Sequence, residues 1–114
     1  MSSIMIQLDS NRTVTGSIST GVHMRADDKA APLVSVSVAT VTGTAPNLTP
    51  KLMHSVDGAN YDVLATGPSI TASGGKAIFG PDTTKPVGRY LRVDYDVTGT
   101  TPSFSGLDCE LQLG

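Results

Sequence analysis

Along most of this chain, apolar and polar side chains alternate with a period of two. The clearest example is Arg89–Val97, and Leu33–Val41 shows the same pattern. Successive side chains of a β-strand point to opposite faces of a sheet, so this period is typical of strands with one buried face. The two segments therefore predict strands, whose inward positions are Val34, Val36, Val38, Leu91, Val93, Tyr95 and Val97.

Turn residues separate the alternating segments at short intervals. Asp9–Asn11 is predicted to be a turn, and Asp57–Gly58 the tip of a hairpin. Ser73–Gly75 is predicted to join Ile70–Ala72 and Lys76–Phe79 in a second hairpin. About eight strands without intervening helices are typical of antiparallel sheets packed face to face. We therefore expect one all-β domain over residues 1–114, a jelly-roll-like β-sandwich of about eight antiparallel strands.

The C-terminal segment Ser103–Leu113 changes parity in its middle. Phe104 falls on one parity, whereas Leu107 and Leu111 fall on the other. Gly106 lies between them and therefore predicts a β-bulge, which would return the later side chains to the core.

Two segments have nearly the same sequence. Val41–Leu48 reads Val-Thr-Gly-Thr-Ala-Pro-Asn-Leu, and Val97–Phe104 reads Val-Thr-Gly-Thr-Thr-Pro-Ser-Phe. Glycine adopts positive φ at little steric cost, and proline cannot donate to a ladder, so each segment predicts a loop that turns the chain between two strands. Either duplication of half a domain or convergence on one favourable loop would explain the similarity.

The charge pattern disfavours several kinds of partner. The chain carries a formal net charge of −2 at pH 7, and only 16% of its residues are charged. Its cations are not clustered, so nucleic-acid binding, which depends on neutralising phosphates, is not expected. Its apolar runs extend over only a few residues, so no membrane span is expected.

Cys109 is the single cysteine, so no internal disulfide can form. The N-terminus lacks a charged segment followed by an apolar one, so no secretory signal peptide is expected. Both features agree with folding in a reducing cytoplasm. Because Cys109 shares the parity of Leu107 and Leu111, its thiol is expected to be buried and inert.

Asp94 and Asp96 are the first candidates for catalysis. Two residues apart on one strand, their side chains share a face at roughly 6.5–7 Å, and paired carboxylates near this distance can hydrolyse glycosides. The acid of such a pair needs apolar surroundings, whereas Arg92 lies on the same face. A solvated strand face is therefore the favoured interpretation, and no enzymatic activity is predicted.

The remaining polar clusters also favour structural roles. Asp57, Asn60 and Asp62 could offer oxygens to a cation, but their spacing differs from that of an EF-hand, and hairpin-turn residues explain them better. His23 and His54 lack a second ligand at metal-binding spacing. No catalytic residue, metal ligand, cofactor or small-molecule substrate is predicted.

His54 shares the parity of Leu52 and Val56, so it is expected to be a partly buried structural histidine.

Several outward faces are polar but uncharged, and interface cores are depleted in charge. Such faces suit docking to another protein, although threonine is also common on solvent-facing strands. Their residues are Thr13, Thr15, Ser17, Ser35 and Ser37.

A sugar-binding module is an alternative on fold alone. Tyr61 and Tyr90 would be its aromatic platforms.

Two segments in the C-terminal half resemble a known protein class. Lys51–Leu64 contains a Ser-x-Asp-Gly hairpin, and Gly88–Phe104 contains an Arg-Tyr-Leu-Arg-Val strand followed by a Thr-Gly-x-x-Pro-Ser-Phe turn. This combination resembles small virion proteins of tailed bacteriophages and is most similar to the head decoration, or cement, proteins. The resemblance implies a jelly-roll-like sandwich on the outside of an icosahedral shell, without catalytic residues.

The resemblance further implies the major capsid protein as partner, with this chain present as a dimer or trimer. It implies a location on the capsid exterior after assembly in the bacterial cytoplasm. A tail or neck protein of similar fold is the alternative within the virion. Contacts with neighbours are expected from the N-terminal arm and the loop Val22–Ala31, which the sandwich core explains least. The candidate contact residues are Ser2, Ser3, Ile4, Met5, Val22, His23, Met24, Arg25, Asp27 and Asp28.

Overall fold

The computed structural model describes residues 4–24, 32–81 and 86–113. Within these ranges every secondary-structure element is a β-strand, and all the strand pairs are antiparallel. The strands are β1 (Ile4–Val14), β2 (Ile18–Ser19), β3 (His23–Met24), β4 (Pro32–Ser37), β5 (Thr40–Ser55), β6 (Asp62–Thr66), β7 (Lys76–Phe79) and β8 (Tyr90–Leu113). The antiparallel all-β fold with about eight strands is therefore confirmed.

The central strand is β8, which has neighbours on both sides along most of its length. On one side it pairs in turn with β1, β2 and β3, and on the other with β4 and β5. Tyr95, for example, lies between Ile18 and Pro50 in the ladder. Strand β6 extends the sheet beyond β5, and β7 extends it beyond β4.

Side chains from both halves of β8 contribute to one core. Leu91, Val93 and Tyr95 are buried, as predicted from the alternation, and Val97 is half-buried. Burial of apolar surface on one face of each strand is the main favourable contribution to the fold. The rest of the core consists of Val14, Val34, Val36, Val38, Leu48, Leu52, Leu64, Ile70, Ala77, Phe79, Phe104, Leu107, Cys109, Leu111 and Leu113.

The two similar segments of the sequence lie beside each other. Val41–Leu48 in β5 pairs antiparallel with Val97–Phe104 in β8, and the register shifts there on both strands. Gly43 has a φ of 113° and Gly99 one of 121°, and the residue two positions after each also has positive φ. The predicted backbone conformation is therefore present in both segments.

The expectation that these segments are loops between separate strands is wrong. Each segment lies inside one long strand, because the two segments pair with each other and so continue the ladder between β5 and β8. A Cβ atom on Gly43 would lie 2.7 Å from the carbonyl oxygen of Thr101, and one on Gly99 would lie 2.8 Å from that of Ala45. Each segment thus has a glycine where the backbone of the other segment comes closest.

Three further expectations need correction. The predicted strand Leu33–Val41 is divided, because β4 ends at Ser37 and β5 begins at Thr40. Asp9–Asn11 is not a turn: β1 continues through it with register shifts that accommodate the positive φ of Asn11. Ile70 pairs with Leu48 through two hydrogen bonds of 2.8 and 3.0 Å, so Ile70–Ala72 does not form a hairpin with β7. This pairing places the Ile70 side chain in the core, whereas β7 pairs with β4.

The hairpin at Asp57–Gly58 is confirmed and joins β5 to β6. The bulge at Gly106 is also confirmed, with a φ of 62° and a register shift between the flanking pairs. It allows Phe104 and Leu107 both to face the core.

Candidate functional site

The predicted contact residues that the structure describes fall into two groups at opposite ends of the β8 ladder. Ile4 and Met5 begin β1 and lie opposite the carboxyl end of β8. Val22 precedes β3, in which His23 and Met24 lie opposite the amino end of β8. The structure therefore does not bring the N-terminal arm and the second group together along the ladder. The predicted contact residues Ser2, Ser3, Arg25, Asp27 and Asp28 lie outside the described residues.

Three exposed apolar side chains lie near the amino end of β8. Met24 is 56% exposed, Val22 is 53% exposed, and Val56 in the β5–β6 turn is 84% exposed. Met24 pairs with Tyr90, and Tyr90 pairs with Ser55, the residue before Val56. We refer to Val22, Met24 and Val56 as the end cluster.

Sequence reasoning did not identify Val56 as a surface residue. It was expected to share the inward parity of Leu52 and His54, but β5 ends at Ser55, so the alternation no longer applies. The Ser-x-Asp-Gly motif is the signal that could have placed Val56 in the turn itself. The expectation for His54 is confirmed, because it is half-buried and its Nδ1 accepts a hydrogen bond of 3.0 Å from the Gly88 amide.

The turn that carries Val56 is held by two polar side chains. The Ser55 hydroxyl accepts a hydrogen bond of 2.9 Å from the Gly58 amide and donates one of 2.8 Å to Asp57. The Asp57 carboxylate accepts hydrogen bonds of 2.9 Å from the Ala59 and Asn60 amides. These amide bonds, that of Asn60 first, hold the pKa of Asp57 below its usual range. Asp57 and Asn60 are thus turn residues, as predicted, whereas Asp62, which was predicted with them, begins β6.

A second surface with exposed apolar side chains lies on the outer face of β7, β4, β8 and β1. It contains Met5, Leu33 and Ile78, and we refer to these three residues as the outer-face cluster. Met5 and Leu33 lie on either side of Gln112 in the ladder. These three side chains thus form a surface distinct from the end cluster, and two further exposed apolar side chains, Ile18 and Val63, border a groove between β6 and β2.

The expectation of an uncharged face at Ser35 and Ser37 is wrong. In the ladder, Ser35 lies opposite Glu110, and Ser37 lies between Lys76 and Asp108. The alternation along one strand reveals which residues share a face, but neighbouring strands supply the other side chains of that face.

A shallow, open groove of about 340 Å³ lies on the outer face of β6, β5, β8 and β2. Asp94 and Asp96 border it, but each is paired with a cation: Asp94 with Arg92 at 3.0 Å and Asp96 with Lys51 at 3.5 Å. The groove lining consists of Ser17, Ile18, Ser19, Lys51, Met53, Val63, Asp94, Tyr95 and Asp96. The two carboxylates are thus part of a charge-balanced strand face.

The two tyrosines proposed as sugar platforms are half-buried, and each has a covered ring face. The Arg92 guanidinium lies 4.1 Å from the centre of the Tyr61 ring, a cation–π distance. The Tyr90 ring lies against Gly58, where an added Cβ would be 3.4 Å from it. One side of each ring is therefore in contact with the rest of the chain.

A partly buried polar network links β1 to β8. The Tyr95 hydroxyl donates a hydrogen bond of 2.7 Å to Asp9, whose two carboxylate oxygens also accept bonds of 2.9 and 3.0 Å from Arg12. Burial, with the neighbouring Cys109 and Asp9, raises the pKa of the Tyr95 hydroxyl. Burial also raises the pKa of the Cys109 thiol to about 12. The prediction of a buried thiol is confirmed, and at neutral pH it is protonated and unreactive.

Among the described residues, no group of three or more His, Cys, Asp or Glu side chains is placed to hold a metal ion. The same part of the chain contains no helix of the length and apolar character needed to cross a membrane.

Comparison with known proteins reveals similarity of fold alone. No protein-family model matches this chain, and no curated protein matches it. Among solved structures, the crystal structure of PirA superposes with a TM-score of 0.52 and 12% sequence identity. The match covers 98% of this chain and 93% of that chain, so it extends over nearly the whole all-β fold.

Proposed function

We propose that this chain is a head decoration protein of a tailed bacteriophage, which binds the outside of the major capsid protein lattice and stabilises the shell. The observation that carries the proposal is the presence of two separate apolar surfaces on one sandwich. The end cluster lies at the amino end of β8, and the outer-face cluster lies beside its carboxyl half. One molecule with two such surfaces can contact two neighbouring capsid subunits.

Because the chain is proposed to contact two capsid subunits at once, each of its contact surfaces can be small. A standard protein interface buries about 800 Å² on each partner, whereas each apolar cluster here contains only three exposed side chains. Once the first surface is bound, the second contact becomes intramolecular, and the effective concentration raises the total affinity. Two modest contacts would therefore retain the protein on the shell.

The pairing of the strands supports this role, because it holds the two surfaces on one rigid body. Strand β8 runs without interruption from Tyr90 to Leu113 and pairs with both groups of strands. The hydrogen bond from Tyr95 to Asp9 adds a partly buried link between β8 and β1. Little flexibility is lost when such a body binds, so less of the contact free energy is offset by ordering.

The experiment uses phage heads that were assembled without this chain. Purified protein is added, the heads are sedimented, and the copies bound per major capsid protein are counted by quantitative mass spectrometry. The proposal predicts saturable binding at many copies per head and greater resistance of the heads to heat. Absence of binding would reject it, and a few copies per virion, confined to the neck or tail, would favour the alternative within the virion.

The free chain is proposed to be a dimer or trimer before it binds. Sedimentation equilibrium on the purified protein tests this point separately, and a monomer at micromolar concentration would exclude it.

A further inference from the structure

We infer that the β5–β6 turn is a preformed plug whose Val56 side chain enters an apolar pocket of a partner protein, with Met24 and Val22 packing around the rim of that pocket. The inference rests on the proposed function, since it takes the partner to be the major capsid protein. It adds which surface makes the contact and what chemistry the partner offers there.

The exposure of the end cluster is the first argument. At 84%, Val56 is more exposed than the other large apolar side chains of the described residues. Adjacent strands lie about 4.8 Å apart, so the pairing of Met24 with Tyr90 and of Tyr90 with Ser55 places Met24 roughly 10 Å from Ser55. Val56 and Met24 can therefore contact the same partner surface, and Val22 lies two residues before Met24.

The rigidity of the turn is the second argument. Ser55 and Asp57 together accept hydrogen bonds from four backbone amides, those of residues 57–60. Gly58 packs against the Tyr90 ring, which fixes the turn to β8. An exposed valine on a braced turn loses little freedom on binding, so its burial contributes more fully to affinity.

The charge beside Val56 indicates what surrounds the pocket. Asp57 stays ionised, so a carboxylate adjoins the apolar tip. A lipid surface is disfavoured, because the carboxylate is hydrogen-bonded within the turn but pairs with no cation of the described residues, so its charge would have to leave water without a counter-ion. A second copy of this chain is disfavoured too, because a twofold contact at Val56 would bring two Asp57 carboxylates together. A protein pocket that is apolar where Val56 enters and carries a lysine, an arginine or backbone amides on the side that meets Asp57 complements both features.

The test compares variants of the full chain on heads that lack it. Val56→Asp should bind at least about tenfold more weakly than the native chain, as expected when a central apolar anchor is lost. Met24→Ser provides a second, milder disruption of the same surface. Val63→Asp is the matched control, because Val63 is also an exposed valine of the same hairpin but borders the groove instead. Thermal melts of each variant report whether folding is intact.

Asp57→Asn tests the partner's charge. Asparagine keeps an oxygen for the turn amides but removes the negative charge, so binding should weaken and depend less on salt concentration.

The inference is overturned if Val56→Asp and Met24→Ser, both folded, bind as tightly as the native chain, whereas the proposed function would then still stand. It is also overturned if Val63→Asp loses binding equally, because the turn would not be the specific contact. If the native chain itself fails to bind the heads, the proposed function fails and the inference fails with it.

Discussion

Replacing Gly99 by alanine tests the close backbone contact between the two similar segments of β5 and β8. The φ of 121° at Gly99 is strained for any residue with a Cβ, at a cost of about 1–3 kcal/mol. The new Cβ would also lie 2.8 Å from the Ala45 carbonyl oxygen and 3.0 Å from the Pro46 Cα, and neither backbone atom can move without disturbing the ladder. Such overpacking costs a further 1–3 kcal/mol or so.

The sum, roughly 2–6 kcal/mol, is a large part of the stability of about 5–15 kcal/mol expected for a domain. At about 4 °C per kcal/mol for a chain of this size, the melting temperature of Gly99→Ala should fall by about 8–24 °C. Circular dichroism on heating, together with urea titration, measures both quantities.

Two other glycines provide matched controls. Gly74 has a φ of 77° but nothing within 4 Å of an added Cβ, so Gly74→Ala should cost only the backbone strain, about 1–2 kcal/mol. Gly16 has neither constraint, so Gly16→Ala should leave stability unchanged or raise it by up to about 1 kcal/mol. If Gly99→Ala loses no more stability than Gly74→Ala, the close backbone contact at Gly99 contributes nothing, and this explanation of the glycine is wrong.

Three further predictions concern the polar groups. Tyr95→Phe removes the hydrogen bond to Asp9 and should lower the free energy of unfolding by about 1–3 kcal/mol in urea titration, whereas an unchanged value would show that the bond contributes nothing. Below pH 9 the thiol of Cys109 is protonated in both the folded and the unfolded chain. Between pH 9 and about 12 it ionises only in the unfolded chain. The free energy of unfolding should therefore fall with rising pH by ~1.4 kcal/mol per pH unit in that window. In Cys109→Ala the fall should begin only above pH 10, where the buried Tyr95 hydroxyl contributes. Equal pH profiles of the unfolding free energy for the native chain and the variant would refute this. Because the pKa of Asp57 is lowered by folding, its contribution is present above pH 4 or so and is lost as the pH falls further. Asp57→Ala should speed hydrogen exchange at the turn amides at neutral pH, and unchanged exchange would contradict its bracing role.

Much of the fold was predictable because it depends on local patterns. The alternation in Arg89–Val97 identified the buried face of β8, and Asp57–Gly58 identified the hairpin, since each follows from the stereochemistry of a few neighbouring residues. Gly106 was identified in the same way, from the change of parity around it.

The relations between distant segments could not be read from such patterns. Nothing local indicates that Val41–Leu48 and Val97–Phe104 pair with each other, and loops were therefore expected where two strands continue. The pairing of Ile70 with Leu48 was missed for the same reason. Both depend on long-range contacts, which the period of a single strand does not encode.

The candidate surfaces were predictable only in part. Val22 and Met24 were expected to contact neighbours, and the structure places both on an exposed apolar surface. Val56 was missed because the parity of β5 was extended one residue past the end of the strand. The charges beside Ser35 and Ser37 come from other strands, so the sequence of β4 alone could not reveal them.

A density map of the mature virion is the most direct test of the proposal that this chain binds the shell. The account predicts the sandwich on the outside of the head, bridging neighbouring major capsid subunits, with Val56 of the β5–β6 turn seated in an apolar pocket. A head surface without this chain in the map, combined with its absence from the head proteins detected by mass spectrometry, would contradict the account.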